Sequence, residues 1–153
     1  MNYIGIDPGA FGAMAILSDT CQIKEFKHEG IRGYAETLHS LGETGPFKLY
    51  LEKVHSMPGQ GVASMFSFGQ RLGEIEGMLQ TMNITYTTVR PQEWRKACGI
   101  PPKSTKVEVA GIIQQLHPDA PLYGPRGGLK DGVADAIGIA YYGLTKDLNA
   151  RTT

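Results

Sequence analysis

At 153 residues, with 41% hydrophobic and 20% charged side chains, the chain has the size and make-up expected of one globular domain, residues 1–153, with a single core. Equal numbers of basic and acidic residues give a formal net charge of zero, which removes the overall basic footprint typical of nucleic-acid binders. No apolar run approaches the roughly 18 to 20 residues that a membrane span needs, and Cys21 and Cys98 lie apart with no CxxC or Cys/His cluster, which supports neither a disulfide framework nor a zinc site.

In chain order, residues 2–7, 12–17 and 21–27 are short, apolar or alternating, and are separated by Pro8-Gly9 and Ser18-Asp19. These signals predict an antiparallel meander of three strands. A strand-like opening in place of basic and apolar leader regions suggests an intracellular, cytoplasmic protein with no membrane partner. Residues 31–41 carry a weak helical pattern, and 47–52 alternate as a fourth strand ending at Glu52 before a Pro/Gly loop at 56–61. From 62 to 82, Met65, Phe68, Leu72, Ile75 and Leu79 recur at spacings of three and four, which predicts an amphipathic helix, the longest of the chain. A fifth strand is expected at 84–89, a short helix opens at Pro91, and Thr105 with Glu108 has capping-box spacing for a helix over 105–116. A final helix spans 131–147. Strands interleaved with helices in this order predict an α/β domain, a mixed five-stranded sheet with helices packed on both faces.

Gly69, Gly73 and Gly77 recur every four residues on one face of the 62–82 helix, each costing about 1 kcal/mol relative to Ala. Close backbone approach offsets such a cost, either onto the chain's own sheet, the favoured expectation, or onto the same helix of a second copy.

Four acids stand where chemistry can be done. Asp7 ends the first strand at a sharp Pro8-Gly9 turn and Glu52 ends the fourth. Asp131 and Asp135, four apart, share a face at the start of the last helix. Taken singly, each has a plain reading: an Asp bonded to its own turn, a strand-end residue, acids favoured by a helix N-terminus. Taken together, they make an oxygen-only donor set of the kind a hard divalent cation requires. Removing these acids from the balance leaves a basic excess of four. Arg90, Arg95, Lys96, Lys103 and Lys106, interrupted by Glu93 and accompanied by Trp94, form a basic stretch that is either a solvated face or a phosphate-binding surface.

At these residues the sequence resembles the RuvC-like Holliday-junction resolvases of the ribonuclease H-like superfamily. Ile4 to Gly9 with Gly12 is similar to the family's first motif, Leu49 to Val54 to the second, and Asp131 to Ala140 to the last. Ser64 to Leu79 and Val89 to Lys96 resemble phage-type members in particular. The resemblance implies that the first and fourth strands are neighbours, and that a homodimer cuts four-way DNA junctions by paired, metal-dependent phosphodiester hydrolysis. It also implies Mg2+, with Mn2+ able to substitute, held by Asp7, Glu52, Asp131 and Asp135 as metal ligands and catalytic groups. DNA contacts are expected from Lys53, His55, Arg90, Trp94, Arg95, Lys96, Lys103, Lys106 and Lys130, with Lys130 near the scissile phosphate. Two departures stand out. The last two acids are four apart where bacterial members have three, and the aromatic that follows the catalytic Glu in those members is replaced near His55. The alternatives are a broader branched-DNA or flap nuclease and a non-catalytic DNA-binding module. Sugar kinases and actin-like ATPases also open on a strand, an acid and a glycine turn, but they enclose nucleotide between two such domains.

Overall fold

The computed structural model describes residues 1–53, 59 and 61–153. Five strands form one mixed sheet: β1 (Asn2–Asp7), β2 (Ala13–Leu17), β3 (Cys21–Glu25), β4 (Phe47–Glu52) and β5 (Tyr86–Val89), in the order β3-β2-β1-β4-β5. The first three make the expected antiparallel meander, while β4 runs parallel to β1 and β5 parallel to β4. The helices are α1 (Phe26–Thr44), α2 (Val62–Thr81), α3 (Pro91–Ala97), α4 (Lys106–Leu116) and α5 (Asp131–Thr152).

Period-two alternation divides the core between the two faces of the sheet. Ile4, Ile6, Met14, Ile16, Leu49 and Leu51 meet Tyr34 and Leu38 of α1 and Ile75 and Leu79 of α2. Tyr3, Ala13, Ala15, Leu17 and Tyr50 point the other way, into α3, α4 and α5. Helices therefore cover both faces, as the alternation predicts. The second face is the tighter one, because at Gly5 of β1 a Cβ would collide with the backbone of Ala136 and Ala140 in α5. Strand and helix backbones touch there, a fit open only to glycine.

Several boundaries move for identifiable reasons. The third strand stops at Glu25 because the chain turns helical at Phe26, whose N–H bonds to the Gly12 carbonyl at 3.0 Å. The helix predicted at 31–41 runs from 26 to 44, bent at Gly30 by a φ of 65° that glycine adopts freely. β5 begins at Tyr86, since Asn83 (φ 54°) and Ile84 close the end of α2. α4 starts as its cap predicts, with the Thr105 side chain accepting from the Glu108 N–H. α5, at 22 residues, exceeds the 20 of α2, so the longest helix is the last one; its polar, exposed final turn carries no apolar signal.

The glycine stripe of α2 also departs from expectation. A Cβ at Gly69, Gly73 or Gly77 would meet nothing within 4 Å, so these residues do not pack on the chain's own sheet. They lie on the outer side of α2, opposite Ile75 and Leu79. Among the described residues, no helix is long and apolar enough to cross a membrane.

Candidate active site

Alternation aims two acids at the same place. Asp7 follows Tyr3 and Gly5 on the α5 side of β1, and Glu52 follows Tyr50 on the α5 side of β4. The parallel register Gly5 with Tyr50 and Ile6 with Leu51 brings the two strand ends side by side. α5 begins above them, so Asp131 opens the helix and Asp135 follows one turn later, in line with Asp7. Gly132 lets this happen, because a Cβ there would strike the Phe11 carbonyl of the β1–β2 turn and approach Asp7 Oδ2 at 3.2 Å.

The electrostatics are those of crowded, poorly solvated carboxylates. Asp7 rises to about 6, chiefly through desolvation and further through the charge of Asp131, opposed by the Gly9 N–H that donates to Asp7 Oδ1 at 2.9 Å. Glu52, buried at 8% exposure, rises to about 7 by desolvation and the charge of Asp7. Asp135 rises to about 8 by desolvation, then by Asp7 and Glu52. Burial is the first cause for all three acids, and like charge adds to it, from Asp131 on Asp7, from Asp7 on Glu52, and from Asp7, Glu52 and Asp131 on Asp135. Among the described residues, no three acidic, histidine or cysteine side chains already stand at ion-gripping distance. The donors are all hard oxygens and short of countercharge, which suits Mg2+ or Mn2+ and not a thiolate-seeking ion.

Cations approach from α3 and α4. Lys106 Nζ lies 2.7 Å from Asp131 Oδ2, and this bond raises the amine's pKa. Arg95 lowers the pKa of both Glu52 and Asp135, and its buried Nε has no hydrogen-bond partner among the described residues. Arg95, Ser104, Lys106, Asp131 and Asp135 line a cavity of about 60 Å³ beside the acids, large enough for water or a small ion. A larger groove of about 580 Å³ adjoins it, with Arg95, Lys96 and Lys103 over Ile100, Pro101 and Pro102.

Other residues expected to touch DNA sit differently. Trp94 has no exposed surface, so it offers no face for a base to stack on; its indole N–H donates to Glu52 Oε2 at 2.7 Å instead. Lys130 is bonded to Glu25 at 3.0 Å, which commits its charge to β3. Arg90 is exposed and folds back on Glu93 at 3.5 Å. Lys53 is exposed just past β4. His55 lies outside the described residues. Two residues near the site have no motif to mark them. Phe11, 77% exposed, tips the β1–β2 turn, and Arg71 of α2 reaches the Gly9 carbonyl at 3.4 Å while covering the Phe26 ring at 3.8 Å. Arg71 stands among helix-face residues, and only the fold brings it to Gly9.

No family model and no curated protein matches the chain. Solved structures do. A Thermus thermophilus RuvC in complex with a Holliday junction substrate aligns over 99% of this chain and 96% of its own, with a TM-score of 0.62 and 16% identity. A second Thermus thermophilus RuvC structure aligns over 95% and 97%, also at 0.62, with 18% identity. The chain therefore has a RuvC-like, ribonuclease H-like fold, with its five-stranded mixed sheet between helical layers.

Proposed function

We propose that this chain is a divalent-metal-dependent endonuclease of branched DNA, a resolvase of four-way junctions built as one domain and related to phage-type members of the RuvC group. The observation that carries the reading is the gathering of Asp7, Glu52 and Asp135 from β1, β4 and α5, each with a pKa far above the usual carboxylate range. Carboxylates displaced by desolvation together with a specific charge partner, beside a cleft, are what a functional site requires. The junction-bound RuvC that shares the fold supports DNA as the substrate class.

Asp7, Glu52 and Asp135 would hold Mg2+, or Mn2+ in its place, with Asp131 completing the set. A divalent cation there supplies charge neutralisation and activation of water for phosphodiester hydrolysis. The chain's own groups supply the rest. Arg95 and Lys106 face the acids across the small cavity and would orient a backbone phosphate. Lys96 and Lys103 would carry the flanking strand along the adjoining groove by sequence-independent contacts. Paired nicks across a two-fold junction call for two such sites, hence a homodimer. The outer side of α2, with exposed Val62 and Phe66 and the open glycines, is our interface.

The test is cleavage of a labelled, immobile four-way junction in Mg2+, beside a flap and a linear duplex, by wild type and Asp7→Ala. Symmetric nicks in the junction alone, lost in the variant, support the resolvase. Equal cutting of flaps makes it a broader branched-DNA nuclease. Junction binding without cutting makes it a DNA-binding module.

A further inference from the structure

Trp94 is the chain's only tryptophan and it makes two contacts at opposite edges of its ring. At one edge the indole N–H donates to Glu52 Oε2 at 2.7 Å, fully buried. At the other, Cε3 and Cζ3 lie against Gly138 of α5, where a Cβ would come within 2.5 Å of both. Gly138 is one turn beyond Asp135, and helical positions three apart share a face. The next turn of α3 is held at the same point, since the Cys98 thiol donates to the Gly138 carbonyl at 3.6 Å. The ring therefore spans the gap between the strand that carries Glu52 and the helix that carries Asp135.

Packing alone does not require an indole. Phenylalanine would fill most of that space, but only the indole offers an N–H to the carboxylate of Glu52, a residue just 8% exposed. We propose that Trp94 is a positioning residue for Glu52, bracing that carboxylate against α5 for cation binding, and that the same contact makes the lone tryptophan a reporter of the bound cation. This rests on the metal-dependent nuclease reading above. Groups that orient a ligand from behind typically cost 10- to 100-fold in metal affinity when removed.

The experiment pairs two readouts. Mn2+ titration calorimetry on wild type and Trp94→Phe should show about a 10- to 100-fold weaker Kd in the variant. Its cutting should demand correspondingly more Mn2+ and recover most of kcat at saturation, a split that general misfolding would not produce. Independently, indole emission of the wild type should change saturably with Mg2+, and the change should vanish in Glu52→Gln. A folded Trp94→Phe that binds Mn2+ within twofold of wild type overturns the proposal, as does wild-type emission indifferent to Mg2+. If Trp94→Phe fails to fold, the emission arm decides. Wild type that binds no Mn2+ and cuts no DNA overturns the nuclease reading itself, whereas normal wild-type binding with an unaffected variant overturns only the role of Trp94.

Discussion

The two faces of the sheet are made by the same five strands and yet do opposite work. On the α1–α2 side, Ile4, Ile6, Leu49 and Leu51 meet an apolar helical layer, and the described charges, such as Arg71 over Phe26, sit at its rim. On the α3–α5 side the strands end in Asp7 and Glu52, and the core continues into an acid cluster with only partial countercharge. One side is arranged for cohesion, and the other carries an electrostatic strain that the first must tolerate. This is the usual division between a scaffold and a site, where an energetic cost is retained for function.

The sharpest way to break that comparison is at Asp7. Asp7→Asn keeps the Gly9 hydrogen bond available to its side-chain oxygen but removes the charge shared with Glu52 and Asp135. Junction cutting should fall by about 10²- to 10³-fold or more, the loss expected for a preorganised electrostatic contact, while junction binding in a gel-shift assay persists. Retained cutting would mean that the acid cluster is not the reactive centre.

The second effect separates the faces by pH. Asp7, Glu52 and Asp135 have folded pKa values of about 6, 7 and 8, above those of an unfolded chain, near 4. Between those limits the folded state binds more protons than the unfolded one, so metal-free stability falls as pH rises from about 4 to about 8. A divalent cation held by these acids, as proposed, would oppose the trend, because it would bind the ionised set. At a concentration of 100 Kd it adds about 2.7 kcal/mol, or about 5 to 10 °C in Tm for a domain of this size. Thermal melts at pH 5 and pH 8, with and without Mg2+, should show the larger cation effect at pH 8; equal shifts would place the binding elsewhere.

Two sets of glycines give the third contrast. Gly5 faces α5 with no room for a methyl group, so Gly5→Ala should cost about 1 to 3 kcal/mol by overpacking. Gly73 faces open space in the interior of a helix, so Gly73→Ala should stabilise the isolated chain by up to about 1 kcal/mol. If the outer side of α2 joins two copies, the same substitution weakens the dimer. Chemical denaturation together with sedimentation separates the two effects, and a Gly73→Ala protein with unchanged self-association would remove α2 from the interface.

These contrasts also explain what was legible in the sequence. The sheet was readable because alternation in 2–7 and 47–52 states both burial and direction, and Asp7 and Glu52 inherit their side from Tyr3 and Tyr50. Thr105 with Glu108 marked α4 because a cap is a local hydrogen bond. The burial of Trp94 is not legible in the sequence, because α3, at seven residues, is too short to show which face is buried. The glycine stripe drew attention by its period. Gly5 and Gly138, two of the close approaches within the fold, carry no period, since their demand comes from a partner element distant in the chain. Lys130 bonding to Glu25 across 105 positions is invisible for the same reason.

The smallest effect tests that last point. Lys96 is exposed at the basic groove, whereas Lys130 is held by Glu25 at 3.0 Å, with only 26% of its side chain accessible. A lysine that contacts one phosphate contributes about 0.9 to the slope of log K against log salt on duplex DNA. Lys96→Ala should therefore weaken junction binding at low salt and flatten that slope by about one unit, with little dependence on sequence. Lys130→Ala should leave the slope nearly unchanged and show its loss in thermal stability instead, because it removes the nearest cation from Glu25 and leaves only the longer contacts of Lys27 and His28, both at 3.8 Å. The reverse pattern would mean that Lys130 leaves Glu25 for DNA, placing a phosphate at the start of α5 beside Asp131.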